Sequence, residues 1–240
     1  MVDVTVRAIV FDFDGTILET ESPAYESMRE IFDRLGVPLT MDIWGRVIGG
    51  TAGKFDIFDL LESRLGRMLD RDALRSEQRA KHHDIVMRLQ VLPGVASHLR
   101  EAKSRGLKLA VASSSSRGWV EGHLERLALL PHFDALRTRD DVARTKPEPD
   151  VYLAALAALG VEPHEAIAIE DSPNGVTAAR AAGIFCVAVP NLLTRQLSLE
   201  HADLVVETLE AIRLEQLLTM AVARHAAARA TLGPALPPTG

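Results

Sequence analysis

Two aspartates one residue apart, Asp12 and Asp14, follow directly on an apolar run at residues 6–11. Gly15 comes next and permits a sharp turn there. Further along, a serine run (Ser113 to Ser116), a lysine between two turn-forming stretches (Lys146, in Thr-Lys-Pro-Glu-Pro-Asp) and an acidic pair (Glu170, Asp171) stand in comparable places. In an open α/β sheet, ligands bind outside the carboxyl ends of the strands, so these residues converge if the strands are parallel. Crowded carboxylates repel one another, by about 1 kcal/mol per pair at 4 Å in water and roughly 4 kcal/mol at an effective dielectric of 20. Such a cluster calls for a cation. Oxygen donors without His or Cys select a hard one, and Mg²⁺ is the default where phosphate is handled. The lysine and the hydroxyls then serve as ligands for an anion. Together they describe phosphoryl transfer, in which catalysis is mostly positioning and charge stabilisation. Of two aspartates so spaced, one can be a nucleophile that forms an aspartyl-phosphate, and the other can protonate the leaving oxygen and later deprotonate water.

The elements that must position these groups are visible in the pattern. Residues 6–11 are nearly all apolar and β-prone, as a strand buried on both faces requires. Further strands are predicted at 108–112, 166–169, 185–189 and 204–206. Helices are predicted at 95–105, 117–129, 150–159 and 173–182, several stopped by a glycine. This alternation implies βαβ units and a doubly wound parallel sheet, an α/β fold. Residues 20–89 read differently. They are helical throughout, starting with a helix at 23–35 for which Ser22 is the expected N-cap and Pro23 the first helical residue. The expected division is a core of residues 1–19 and 90–215, a helical insert at 20–89, and a C-terminal helix with a loose tail at 216–240.

Composition bounds the class. The chain has 240 residues, of which 47% are hydrophobic and 25% charged. That excludes a disordered chain, a collagen-like repeat and a disulfide scaffold. With 27 Lys and Arg against 33 Asp and Glu, and a net charge of −6, there is no basic footprint for nucleic acid. No window is apolar for long enough to span a membrane, and the first residues lack the pattern of a secretory signal. The one cysteine, Cys186, is expected to be a small buried hydrophobe. A cytoplasmic location is expected, as are a small phosphorylated metabolite as partner and a monomeric or homodimeric state.

The segment Val-Phe-Asp-Phe-Asp-Gly-Thr-Ile-Leu-Glu-Thr-Glu resembles the signature of the haloacid dehalogenase (HAD) superfamily of phosphohydrolases. Ser113, Lys146-Pro147 and Glu170-Asp171-Ser172 match that family's later motifs in order, so the resemblance runs from about residue 6 to 210. It implies a Rossmann-like core with an inserted α-helical cap. By position, Asp12 is the nucleophile and a Mg²⁺ ligand. Asp14 is the general acid/base, and its main-chain carbonyl also binds the metal. Thr16 holds Asp14 in place, Ser113 and the amide of Ser114 bind the phosphoryl group, and Lys146 neutralises nucleophile and phosphate. Asp171, with Glu170 beside it, completes the metal site. Where the family often carries a second acid, position 175 is Gly. The cap closes over the site and selects the substrate; its loop at residues 48–54 could present Lys54 and glycine amides to it, and Asn174 could reach the site from the core.

The arrangement resembles the subgroup of phosphoglycolate phosphatases, sugar-phosphate phosphatases and β-phosphoglucomutase. The mutase's cap histidine has no counterpart: Ala24 stands near its place, with Tyr25 beside it, and no His occurs between residues 1 and 81. This favours a phosphatase over a sugar phosphomutase. A phospho-aspartate signalling receiver is the alternative of another class, opposed by the acid at Asp14 and by the helical insert. An inactive family member is opposed by the intact motifs. His82 and His83 are expected to face solvent, Trp44 and Trp119 to serve packing, and the Arg-rich stretch around 64–79 to be a solvated face.

Overall fold

The computed structural model describes residues 5–48 and 55–232. Its centre is a six-stranded sheet of order β3-β2-β1-β4-β5-β6. The strands are β1 (Ala8–Phe11), β2 (Lys108–Ala112), β3 (Ala135–Arg137), β4 (Ala166–Glu170), β5 (Phe185–Ala188) and β6 (Leu204–Val205), and every pairing is parallel. Chain order reverses at β1, which lies between β2 and β4. Asp12 therefore emerges at the switch point where doubly wound sheets bind their ligands.

The strands are buried on both faces, and the faces differ in side-chain size. Ile9, Phe11, Leu109, Val111, Ile167, Ile169, Phe185 and Val187 point to one side. There they pack against α5 (Val95–Ser104), α6 (Arg117–Arg126) and the start of α9 (Leu214–Leu232). On the other side stand Ala8, Val10, Ala110, Ala112, Ala166, Ala168, Cys186 and Ala188. These small residues let α7 (Asp150–Leu159) and α8 (Pro173–Ala181) pack close to the sheet. Cys186 is fully buried among them, as a small hydrophobe should be.

Between β1 and α5 the chain forms the helical cap: α1 (Glu21–Arg34), α2 (Met41–Ile48), α3 (Ile57–Leu65) and α4 (Arg71–Val86). The cap has its own apolar centre, with Ile31, Phe32, Trp44, Phe58 and Leu61, joined by Leu193 from a core loop. The chain folds as an α/β protein with a doubly wound parallel sheet and an inserted helical cap.

Two helix expectations are corrected, and one strand is added. The first cap helix begins at Glu21 with Thr20 at its N-cap, not at Pro23 with Ser22, and Thr20 makes no side-chain cap bond. Its hydroxyl is spent elsewhere, on Asp14. The helix expected at 117–129 stops at Arg126, because Ala128 takes a left-handed φ of 56°. The short strand β3 is not read from the sequence at all. The C-terminal helix starts at Leu214, and Leu214, Leu217 and Ala221 are buried in the main core, so its first turns belong to the fold. Among the described residues no helix is long and apolar enough to cross a membrane.

Candidate active site

The site lies at the carboxyl ends of β1, β2 and β4, under the cap. Pairing continues one residue past β1, where the Asp12 amide donates to the carbonyl of Ile169 at 2.9 Å, and this pins the first aspartate at the strand end. Gly15 then turns with a φ of +81°. A Cβ there would lie 2.2 Å from Oδ2 of Asp171, so both the turn and the close approach of that carboxylate require glycine.

Asp12, Glu170 and Asp171 are all buried, and one carboxylate oxygen from each lies within 4.8 Å of the others. Lys146, whose side chain is 6% exposed, donates to Asp12 Oδ1 and to Glu170 Oε1. Tyr152, fully buried in α7, donates its hydroxyl to the same Glu170 oxygen at 2.6 Å. Asn191 donates to Asp171 Oδ2 at 2.8 Å. One lysine facing three carboxylates leaves an excess of negative charge. Burial, with Glu170 and Asp14 adding to it against the pull of Lys146, pushes the Asp12 carboxyl up to about 8. Burial and the charges of Asp12 and Glu170 push Asp171 well above the carboxylate range. Burial pulls the Lys146 ammonium down, but Asp12 and Glu170 outweigh it and hold it above the ordinary lysine value. A buried, all-oxygen donor set with unneutralised charge fits a hard divalent cation, whose charge would reverse the shifts on Asp12 and Asp171.

Asp14 sits outside this cluster. Its Oδ1 accepts from the Thr20 hydroxyl at 2.9 Å and from the Trp119 indole N–H at 2.9 Å. Its Oδ2 accepts from the Ser115 hydroxyl at 2.6 Å, with Ser113 Oγ further off at 3.4 Å. Thr16 does not hold Asp14: its hydroxyl is buried with no hydrogen-bond partner, and Thr20 does that work. Ser113 is fully buried, and its Oγ accepts the Ser115 amide at 3.0 Å; the serines that line the cavity are Ser114 and Ser115.

The cavity has a volume of about 580 Å³. Core residues Asp12, Asp14, Ser114, Ser115, Trp119, Lys146, Asp171 and Asn174 form its floor and one wall. The cap supplies Glu21 and Ala24 from α1, Trp44 and Val47 from α2, and His82 from α4. Lys54 and the glycines at 49–53 lie outside the described residues.

Four residues here escape a reading of spacing. His82 is half-buried and turned toward the core: its Nε2 lies 3.1 Å from the Thr20 carbonyl, and its ring stacks on Trp119 with centroids 5.4 Å apart. Trp119 does more than pack, since it donates to Asp14. Glu21 lines the cavity, and burial together with Asp14 and Glu19 pushes its carboxyl up to about 7. Asn191 stands beyond the end of β5 and could have been found by the rule that located Asp12 and Asp171.

Gly175 shows why no second acid follows Asp171. A Cβ at this position would meet Glu170 Oε2 at 1.9 Å, so the Glu170 side chain fills the space that a residue at 175 would need. Because Lys146 and Tyr152 hold that carboxylate, it has no free direction to retreat. Gly175→Ala should lower kcat at least about tenfold and weaken divalent-cation binding, by displacing a charged group that supports the site. Initial rates across a metal titration would check this; unchanged rate and affinity would show that Glu170 moves at no expense.

The sequence model of the haloacid dehalogenase-like hydrolases matches residues 9–189. The chain belongs to this family. Phosphatase YhcW of Bacillus subtilis (strain 168) is 42% identical over 213 residues, which is 89% of this chain and 96% of YhcW. A phosphorylated carbohydrates phosphatase of Thermotoga maritima is 32% identical over 181 residues, 75% of this chain and 82% of that protein. A solved structure of a CbbY point mutant from Rhodobacter sphaeroides, in complex with xylulose-(1,5)bisphosphate, superposes with a TM-score of 0.65 at 29% identity. It covers 85% of this chain and 95% of CbbY. The chain is an enzyme, a phosphatase of the haloacid dehalogenase type.

Proposed function

We propose that this phosphatase hydrolyses a small phosphomonoester, a sugar phosphate or a phosphoglycolate-like acid, through an aspartyl-phosphate on Asp12, with Mg²⁺ as cofactor. The observation that carries this reading is the different environment of two neighbouring carboxylates. Asp12 lies in the buried cluster beside Lys146, whereas Asp14 is held by hydroxyls and an indole outside it. Two carboxylates in unlike surroundings take unlike roles. A carboxylate oxygen of Asp12 attacks phosphorus, and the bond to the leaving oxygen breaks. Asp14 gives that oxygen a proton, then takes one from the water that attacks the aspartyl-phosphate and frees inorganic phosphate. Lys146 and the Ser114 hydroxyl offset the charge on the phosphoryl oxygens. Asp12, Glu170 and Asp171 would hold Mg²⁺, which supplies further charge neutralisation at the phosphoryl group. The cap residues keep bulk water from the reacting centre. A cytoplasmic location fits a chain whose single cysteine is buried and reduced.

The test is phosphate release with Mg²⁺ from a panel of sugar phosphates, phosphoglycolate, nucleotides and an aryl phosphate. It is joined to acid quenching with labelled substrate and location of the label by mass spectrometry. Label on Asp12 is the expected result, and turnover without it would overturn the covalent route. Ala24 lines the cavity and offers no group for returning a phosphoryl to a sugar, which opposes a mutase. Isomerisation of β-glucose 1-phosphate would overturn that preference.

Metal binding should also show as pH-dependent stability. The Asp12 carboxyl is raised in the folded state to about 8 and Asp171 is raised well above its ordinary value. Folding therefore takes up protons. The stability these groups contribute is complete below the unfolded value of about 4 and is lost as pH rises through the folded values. Mg²⁺ replaces those protons, so its binding tightens as pH rises. The gain in Tm on adding Mg²⁺ should be larger at pH 8 than at pH 6. At 100 Kd of free metal it corresponds to about 2.7 kcal/mol. Equal gains at the two pH values would contradict the buried-carboxylate site.

A further inference from the structure

We propose that Trp119 and His82 form a brace that positions the Asp14 carboxyl, so that docking of the cap through His82 is felt at the general acid/base. Four contacts carry this inference. The Trp119 indole N–H donates to Asp14 Oδ1 at 2.9 Å, and the Thr20 hydroxyl donates to the same oxygen at 2.9 Å. His82, from the last cap helix, touches both of these donors: its Nε2 lies 3.1 Å from the Thr20 carbonyl, and its ring lies on the Trp119 indole at 5.4 Å with planes 19° apart. Behind the indole, His123 packs edge-on at 4.3 Å and is itself stacked on Phe13, the residue between the two aspartates. The indole is thus held between a cap histidine and a core histidine.

The chemistry of the donors gives this geometry a function. An indole N–H only donates, so Oδ1 is fixed as an acceptor. Any proton that the carboxyl exchanges with a leaving group or with water is exchanged at Oδ2. The only described side chains bonded to Oδ2 are hydroxyls, Ser115 at 2.6 Å and Ser113 at 3.4 Å, which can donate or accept. Removing the indole N–H frees Asp14 to turn and removes the distinction between its oxygens. Removing His82 loosens both donors at once. His82 and Trp119 are positioning residues in this account, and neither needs to touch the substrate.

The proposal rests on Asp14 being the acid of the first step, and the experiment separates the two claims. The phenolate of 2,4-dinitrophenyl phosphate leaves without a proton, whereas that of phenyl phosphate needs one. kcat/KM reports the step in which the leaving group departs. In Trp119→Phe, kcat/KM for phenyl phosphate should fall at least about tenfold, while that for the dinitrophenyl ester stays within about threefold. His82→Ala should show the same pattern, and His82→Phe, which keeps a ring on the indole but not the contact with the Thr20 carbonyl, should restore part of the loss. Equal falls with both esters, or no fall with either, would overturn the brace. A widened gap between the esters in Asp14→Asn, with the phenyl ester falling the most, tests the underlying reading. If that variant keeps the wild-type ratio, Asp14 is not the acid and the failure lies there.

A second readout needs no turnover. The indole ¹H–¹⁵N resonances of Trp44 and Trp119 are told apart with Trp44→Phe. The Trp119 resonance should move in Asp14→Asn and in His82→Ala. A Trp119 resonance unmoved by Asp14→Asn would show that the bond to Asp14 is not made in solution.

Discussion

Asp12→Asn should lower turnover by about 10⁴-fold or more and yet leave the metal-free protein at least as resistant to heat at pH 8 as the wild type. The loss of activity follows from the chemistry, since a carboxamide is a poor nucleophile toward phosphorus and gives no stable acyl phosphate. The stability follows from the site. Asp12 is buried against Glu170 and Asp171, and its carboxyl is raised to about 8 because burial disfavours its charge. Asparagine fills the same volume, needs no charge, and its amide oxygen still accepts from Lys146. Lys146 keeps its 2.6 Å bond to Glu170. The protein therefore loses a repulsive charge and retains the hydrogen bonds. Mg²⁺ should protect the variant less than it protects the wild type, because one oxygen ligand has lost its charge. Phosphate release and thermal melts with and without metal check all three statements. A metal-free variant that melts well below the wild type would mean that the attraction of Lys146 for Asp12 exceeds the cost of burying that carboxylate.

The parts of the site that are legible in the sequence share one property. They sit next to strands whose burial on both faces makes them continuous apolar runs. Asp12 follows β1, Ser113 follows β2 and Asp171 follows β4, and a polar residue at the end of such a run is conspicuous. The strand β3 is not, because it has 3 residues, Ala-Leu-Arg, and nothing in them favours a strand. It is held by tertiary contacts. The Asp134 carboxylate accepts the Leu109 amide at 2.8 Å and Lys103 at 2.8 Å, which sets the approach to the sheet. The cap start escapes for a related reason. Ser22 and Pro23 satisfy the local rules for a helix N-terminus, but they say nothing about Thr20, whose hydroxyl bonds to Asp14 in the core. His82 and Trp119 are farther still from local logic. They are 37 positions apart in the chain, and the packing of cap on core brings their rings together at 5.4 Å. What a sequence hides here is the meeting of cap and core, and the support of Asp14 lies in that meeting.

Lys146→Met should separate stability from catalysis in the opposite sense to Asp12→Asn. Lys146 is the only Lys or Arg among the described residues that line the cavity, and its buried ammonium is bonded to both Asp12 and Glu170. Methionine fits the space beside the Tyr152 ring, over which the ammonium now sits at 5.1 Å, but it leaves three buried carboxylates with no compensating charge. Removing one partner of a buried pair costs about 3–5 kcal/mol. In a chain of this size that is a fall in Tm of roughly 6–20 °C. The fall should be greater at pH 8 than at pH 5, because burial raises the Asp12 and Asp171 carboxyls, so that proton uptake relieves their charge more readily at the lower pH. Saturating Mg²⁺ should recover much of the lost stability by neutralising the carboxylates. It should not restore turnover, which is expected to stay about 10³-fold down, because the one donor that bonds Asp12 and also meets the transferring phosphoryl group is gone. Lys146→Arg should not rescue the rate, since a planar guanidinium cannot replace a point charge that meets Asp12 and Glu170 from one nitrogen. Melts at two pH values, with and without metal, beside phosphate-release rates, check these outcomes. Full recovery of rate with Mg²⁺ would make Lys146 a purely structural counter-ion. Persistent inactivity in a metal-stabilised protein would place its charge on the reaction path, since the cation would then be compensating the fold and not the chemistry.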